Sequence, residues 1–197
     1  MNEKVTALID SIRELESRLE TEFAASRRGM GYHIRRGRIE FEARFILLHR
    51  RLRKSLAAFV LDSELVNLLT SPVIYSMLIP LAFLDLMLTV YQAVCFPGYG
   101  IAKVDRSSYI VHDRHRLAYL NGLEKLNCFY CGYANGLIAY AREIAGRTEQ
   151  YFCPIKHALR VLGTHRQYAE FFEYGDAEGY RKDSAALRAR LKTEPRL

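Results

Sequence analysis

The sequence lacks the short motifs of several common enzyme classes. It contains no GxGxxG or GxxxxGK[ST] phosphate loop, no GxSxG nucleophile motif and no HExxH zinc-protease motif. These absences argue against nucleotide-dependent enzymes and proteases. They do not decide whether the protein is an enzyme, and the sequence indicates no small-molecule substrate.

Cysteine is also scarce, with four residues in a chain of 197. The first ten residues, MNEKVTALID, are polar and helical in pattern, unlike the charged-then-apolar leader of a secreted protein. So few cysteines without a leader argue against a secreted disulfide scaffold. We therefore expect reduced thiols that face the cytosol.

The charge balance is basic but moderate. Lys and Arg number 29 against 22 Asp and Glu, which gives a net charge of +7 and a pI near 9.3. This excess suits an acidic partner, either a nucleic acid or an anionic membrane surface. Half of the residues are hydrophobic, which is enough to bury a core in one domain with tails.

The N-terminal part, residues 1–70, has the pattern of amphipathic helices. Apolar residues in 3–26 follow a 3–4–3–4 spacing, which fits either a coiled coil or a helix packed on its own domain. A glycine-broken basic turn at 27–38 separates this helix from a second one predicted at 39–62. The apolar residues of the first helix are Val5, Leu8, Ile12, Leu15, Leu19 and Phe23.

Residues 71–99 form a membrane-type apolar segment. From Val73 to Phe96 the only formal charge is Asp85, and this length can cross a bilayer core of about 30 Å. Pro72 and Pro97 bracket the segment, and the interior Pro80 predicts a kink. The alternative is the buried central helix of a soluble bundle. Asp85 is then either a functional acid at membrane depth or a buried acid paired with an arginine of a neighbouring helix.

The positive-inside rule does not give the membrane topology here, because both flanks of the segment are basic. A re-entrant segment kinked at Pro80 would leave both ends inside, and its irregular backbone would need cover from an oligomer. A single crossing with the metal site outside is the alternative. We expect the bacterial inner membrane, with the metal site facing the cytoplasm.

A helix is predicted at about 116–127, with an interruption at CGYANG before the helical pattern resumes. Residues 175–197 form a polar tail, either a short charged helix or a frayed end.

Residues 100–174 contain a candidate metal site. Cys128 and Cys131 stand in a C-x2-C pair, the spacing of a tight loop. Cys153 and His157 are four residues apart on a helix predicted at about 153–173, with Pro154 in its first turn. Three thiolates and one imidazole are a common tetrahedral zinc set. The alternatives are a redox dithiol and buried small apolar side chains.

The ligand spacing does not identify the metal. Zinc suits a closed structural site of four ligands, whereas iron or an Fe–S cluster would suit electron transfer. Glu149 lies four residues before Cys153 and is either an acceptor for the ring of His157 or a solvated acid. A metal-clipped helical region at the C-terminus completes the expected all-α fold, a helical bundle with one apolar, Pro-kinked helix.

The run YLNGLEKLNCFYCGYANGLIAYAREIAGRTEQYFCPIKHA, residues 119–158, contains the motif C-x2-C…C-P-x-K-H. Together with LAFLDLMLTVYQAVCFPGYGI at 81–101, it resembles a family of uncharacterised proteobacterial membrane-associated proteins. The resemblance implies a bacterial source and carries no activity with it.

These features favour a bacterial membrane-associated metal-binding protein, a structural or interaction subunit of a homo-oligomer with a Cys3His zinc site. One alternative is an iron or Fe–S redox protein at the membrane. Another is a soluble, zinc-clipped nucleic-acid-binding protein, against which the apolar segment argues. The arginines that would contact phosphates are Arg27, Arg28, Arg35, Arg36 and Arg38.

Overall fold

The computed structural model of the protein describes residues 3–27, 30–35 and 38–193. Helix makes up 70% of the structure and strand 5%, so the predicted predominance of helix is confirmed. The chain forms two compact units. The first consists of Met1–Leu69 and His112–Phe129, and the second of Thr70–Val111 and Tyr130–Leu197.

The first unit contains most of the N-terminal elements. Helix α1 spans Glu3–Arg27 and is followed by strands β1 (Tyr32–Arg35) and β2 (Arg38–Phe41). Two short helices come next, α2 at Ala43–Arg51 and α3 at Leu56–Leu61. The predicted first helix is therefore present, while the elements after it differ from the prediction.

Within the basic segment at 27–38, Tyr32–Arg35 and Arg38 belong to two paired strands and not to a simple turn, while residues 28, 29, 36 and 37 lie outside the described residues. Strands β1 and β2 are antiparallel, and their register pairs Tyr32 with Phe41 and Ile34 with Ile39. The alternation of Tyr32 and Ile34 with polar residues is the period-two pattern of a strand. The all-α expectation missed this hairpin because the glycines and arginines beside it mask a four-residue pattern.

The single helix predicted at 39–62 is two helices. Helix α2 ends at Arg51, and Ser55 begins α3 by accepting a hydrogen bond from the backbone N–H of Ala58 at 3.2 Å. A serine in this position satisfies one of the free N–H groups of the first helical turn. The apolar periodicity continues across the break, so periodicity alone did not reveal it.

The apolar segment forms helices α4 (Leu65–Ser76) and α5 (Leu78–Tyr99). The break at Met77 lies three residues before Pro80, whose ring clashes with the carbonyl four residues earlier, that of Ser76. Leu65–Tyr99 is long and apolar enough to cross a membrane by its length and composition, as predicted. Pro72 and Pro97, predicted to bracket the segment, lie inside the two helices.

Helix α6 (Gly122–Phe152) is the longest element and runs without a break. Asn121 accepts from the N–H of Glu124 at 3.0 Å, and the carboxylate of Glu124 accepts from the N–H of Asn121 at 2.8 Å. This reciprocal capping box fixes the start of the helix. The prediction that CGYANG interrupts the helix is wrong, because its two glycines remain helical.

Beyond α6 the predicted helix at 153–173 is wrong. Pro154 has no N–H to continue the helical hydrogen-bond ladder, and Ile155 instead forms a parallel β-bridge with Phe172. A short 3-10 turn occupies Arg166–Glu170. The chain then forms helix α7 (Ala177–Arg190), which agrees with the short charged helix considered for the tail.

Buried apolar side chains gather in the second unit. They come from the end of α5, the segment after it, the middle of α6 and the end of the chain. In the described residues of the first unit, no apolar side chain is buried. The buried cluster comprises Phe96, Ile101, Val104, Ile110, Leu137, Tyr140, Ile144 and Leu191.

Candidate functional site

The four predicted metal ligands lie in different settings. Cys128 is half-buried and Cys131 exposed, and both are within α6 where a loop was predicted. Cys153 follows the end of α6, and His157 lies in the non-helical segment after it; both are exposed. The C-x2-C pair and the Cys153–His157 pair therefore do not have the loop and helix geometries on which the prediction depended.

The structure does not bring these residues together. Cys131 and Cys153 are separated by the uninterrupted second half of α6, which at 1.5 Å per residue is roughly 30 Å long. Zinc–sulfur bonds are about 2.3 Å, so the two thiolates cannot share an ion within one chain. Across residues 3–27, 30–35 and 38–193, no group of three His, Cys, Asp or Glu side chains could hold a metal ion.

His157 and Glu149 have other partners. The ring of His157 stacks on Tyr168 with centroids 6.2 Å apart, and its backbone N–H donates to the Tyr168 hydroxyl at 2.7 Å. Glu149 does approach an imidazole, but its Oε2 lies 2.8 Å from Nε2 of His165. The predicted kind of partner is present, although the histidine is a different one.

Glu149 and His165 belong to a polar cluster beside α6, completed by Glu143, Arg147 and Gln167. Arg147 is fully buried and donates from Nε to Glu143 Oε1 at 2.8 Å. Gln167 Nε2 donates to the same oxygen at 2.9 Å, which turns its Oε1 towards His165 Nδ1 at 3.2 Å. Each of these groups faces another protein group, so the cluster fastens the chain around residue 165 to α6.

Gly146 allows the polar cluster to lie close to α6. Gly146 lies on α6 where a Cβ atom would come within 2.7 Å of His165 Nδ1 and 2.8 Å of Gln167 Oε1. Real Cβ atoms do not approach other atoms this closely, so a larger residue would displace the cluster. The cluster therefore depends on glycine at this position, and its geometry indicates a structural role.

No family model, curated protein or solved structure matches this chain. The resemblance to a proteobacterial family therefore stays a prediction.

The second polar feature surrounds Asp85, the lone charge in the apolar segment. Arg106 holds it with two hydrogen bonds, Nη2 to Oδ2 at 2.6 Å and Nε to Oδ1 at 3.1 Å. The hydroxyl of Tyr133 donates to Oδ2 at 3.0 Å. The ion pair raises the pKa of Arg106, and burial followed by the bond to Asp85 raises the pKa of Tyr133. The alternative of an acid paired with an arginine is the one observed, although Arg106 lies in a 3-10 turn.

The surface of α4 and α5 is apolar and uncovered. Half-buried residues recur every three or four positions, and no residue from Leu65 to Tyr91 is buried. Ile79 is 75% exposed and Phe83 63%, far more than a soluble core helix allows. Burial begins at Gln92, whose side chain bonds to both backbone polar groups of Val104. Contiguous exposed apolar surface of this kind marks an interaction surface.

Cations without partners lie before this apolar surface. Arg50, Arg51 and Arg53 are exposed and make no ion pair among the described residues, whereas Arg44 pairs with Glu42. The arginines predicted to contact nucleic acid are described only in part. Arg28 and Arg36 lie outside the described residues, and so does the side chain of Arg38.

Sequence reasoning missed His165, Arg106 and Tyr133. Each meets its partner across a long stretch of chain, so no local spacing links the two. Two signals were available in the sequence. A charged Asp85 in an apolar helix needs a cation, and Glu143 and Arg147 have the i, i+4 spacing of a helical ion pair.

Proposed function

We propose that the protein associates with the bacterial inner membrane through α4 and α5 and serves there as a structural or interaction subunit of a homo-oligomer. The observation that carries the proposal is the uncovered apolar surface of these helices. In water this surface would be costly, because burying apolar area yields about 25 cal/mol per Å². Hydrocarbon chains of a bilayer remove that cost.

The length of the uncharged stretch supports the proposal. Between Glu64 and Asp85 the helices carry no formal charge, and Leu65–Leu84 would be about 30 Å long at 1.5 Å per residue, the thickness of a bilayer core. This stretch lies earlier in the chain than the predicted 73–96, because Gln92 and Phe96 are buried in the second unit. Asp85 and its partner Arg106 would then lie at the membrane boundary, where charges are tolerated.

The break at Met77 and the basic flanks bear on the topology. At the break, the Ser76 hydroxyl donates to the carbonyl of Val73 at 2.7 Å, which satisfies an acceptor that lipid cannot. The unpaired Arg50, Arg51 and Arg53 suit anionic headgroups, each worth about 1 kcal/mol near the surface. A stretch that crosses the core once has its two flanks on opposite sides, so the proposal adopts the single crossing, with the arginine flank in the cytoplasm and neighbouring copies covering the break.

A pair of matched variants tests this proposal. Ile79→Arg places a charge on the exposed apolar surface, and Leu159→Arg makes the same kind of change at an apolar residue that is 83% exposed outside these helices. An arginine at the centre of a membrane helix costs about 2.5–3.5 kcal/mol. We expect Ile79→Arg to lower the fraction that pellets with membranes after alkaline extraction at least tenfold, and Leu159→Arg to leave it unchanged. Wild-type protein in the soluble fraction would overturn the proposal.

Metal binding is not part of this proposed function. Zinc, or iron as its alternative, on Cys128, Cys131, Cys153 and His157 stays a prediction from the sequence, and the described geometry gives it no support. The nucleic-acid alternative likewise gains no observation from the described arginines. The exposed apolar helices favour the membrane over both.

A further inference from the structure

Helix α1 presents an apolar stripe that nothing in the described structure covers. The α1 stripe consists of the exposed residues Val5, Leu8, Ile12, Leu15 and Leu19. Leu8 is 64% exposed and Leu15 63%, so this helix is not packed on its own domain. Of the two interpretations that the sequence allowed, the structure removes the second.

We propose that α1 pairs with α1 of a second copy of this chain in a parallel, two-stranded coiled coil. The stripe follows the heptad repeat with Val5, Ile12 and Leu19 at position a, and Leu8 and Leu15 at position d. Two of the three a residues, Val5 and Ile12, are β-branched and both d residues are leucine, a pattern that favours two parallel strands over three or four. The identity of the residues, and not their spacing alone, thus favours a two-stranded pairing, and a second copy of the same helix supplies the matching stripe.

Two ion pairs on the other faces of α1 form within the helix. Arg18 pairs with Glu14 at 2.6 Å and Arg13 with Asp10 at 3.5 Å, each one turn apart. Such pairs stabilise an isolated helix and keep its outer face in water. The α1 stripe is therefore the face left for a partner, and it runs along most of a 25-residue helix.

The area of the α1 stripe is that of a weak dimer, which confinement of both chains in one membrane would stabilise. Burying an aliphatic side chain removes roughly 60–120 Å² of surface, so the stripes of two copies would bury about 600–1,200 Å². Stable interfaces bury about 1,200 Å² or more, so α1 alone pairs weakly in solution. This part of the inference rests on the proposed function, since two chains held in one membrane meet at a higher effective concentration.

Cysteine cross-linking in native membranes tests the pairing. In a background with Cys95, Cys128, Cys131 and Cys153 replaced by serine, Leu15→Cys places a thiol at position d. Its control, Ser17→Cys, places one at position f on the far side of the same exposed helix. We expect oxidation to link Leu15→Cys chains into dimers at least tenfold more than Ser17→Cys chains, and Leu8→Cys chains to behave like Leu15→Cys.

Each outcome decides the inference. Equal cross-linking of the two variants, or none in either, would overturn the coiled coil. A Leu15→Cys product containing a different protein would overturn the second copy as occupant. Cross-linking only in a mixture of Leu8→Cys and Leu15→Cys chains would overturn the parallel register. Dimers formed by chains in the soluble fraction would keep the coiled coil and reject the membrane proposal, which separates the two.

Discussion

At the scale of single residues, Gly136 allows α6 to approach the backbone of the second unit. A Cβ atom at this position would lie 2.5 Å from the carbonyl oxygen of Tyr109 and 3.1 Å from Cα of Ile110. Backbone atoms cannot move aside as a flexible side chain can. At Gly132, on the same helix, a Cβ atom would meet only the carbonyl of Val111 at an ordinary 3.8 Å.

We therefore expect Gly136→Ala to lower the free energy of unfolding by about 1–3 kcal/mol through overpacking. Gly132→Ala is the matched control, and we expect it to raise that free energy by up to about 1 kcal/mol, because alanine is the better helix former. Denaturant unfolding followed by helical circular dichroism measures both. Equal effects of the two substitutions would show that the contact with Tyr109 does not limit the packing of α6.

Single substitutions also test whether Cys131 and Cys153 share an ion. If all four predicted ligands held one metal, Cys131→Ala and Cys153→Ala would each remove it. Because α6 separates the two thiols by roughly 30 Å, we expect both variants to keep the metal content of the wild type. Elemental analysis of purified protein measures this, with Cys95→Ala as the control. A matching loss in the two variants, but not in Cys95→Ala, would restore the shared site.

At the scale of elements, the sequence was informative where hydrophobic periodicity is long and regular. The coiled-coil-like spacing located α1 closely, and the uncharged run located the apolar helices. It was less informative where local signals compete. Glycines at 132 and 136 suggested a break in α6, but glycine costs a helix only about 1 kcal/mol, and the close packing of Gly136 offsets this.

The candidate metal site gained no support from the structure, for a related reason. The spacing of Cys153 and His157 has meaning only on a helix, and Pro154 was assigned to a first helical turn. In the structure α6 ends at Phe152, and residue 155 bonds to a distant segment instead. Glu149 contacts the ring of His165 and not that of His157, because a partly buried acid needs a partner wherever the chain supplies one.

At the scale of the whole molecule, the two units differ in how they are stabilised. The second contains the buried apolar cluster around Tyr140 and the fully buried Arg147. The described part of the first relies on a short hairpin, helix caps and exposed helices. Local stability follows buried apolar contacts, so the free energy of opening should differ strongly between the units.

Hydrogen exchange tests this difference and ties it to the membrane. In detergent, we expect the amides of residues 137–150 in α6 to exchange at least a hundredfold more slowly than those of α2 and α3. Transfer into vesicles of anionic lipid should slow exchange in α2 and α3 at least tenfold, since their exposed Leu47, Leu48 and Leu61 then meet the interface. Helix α7, whose Leu187 is already buried, is the internal control and should not change. Uniform protection in detergent would contradict the stability difference, whereas an unchanged α2 and α3 in vesicles would remove these helices from the membrane contact.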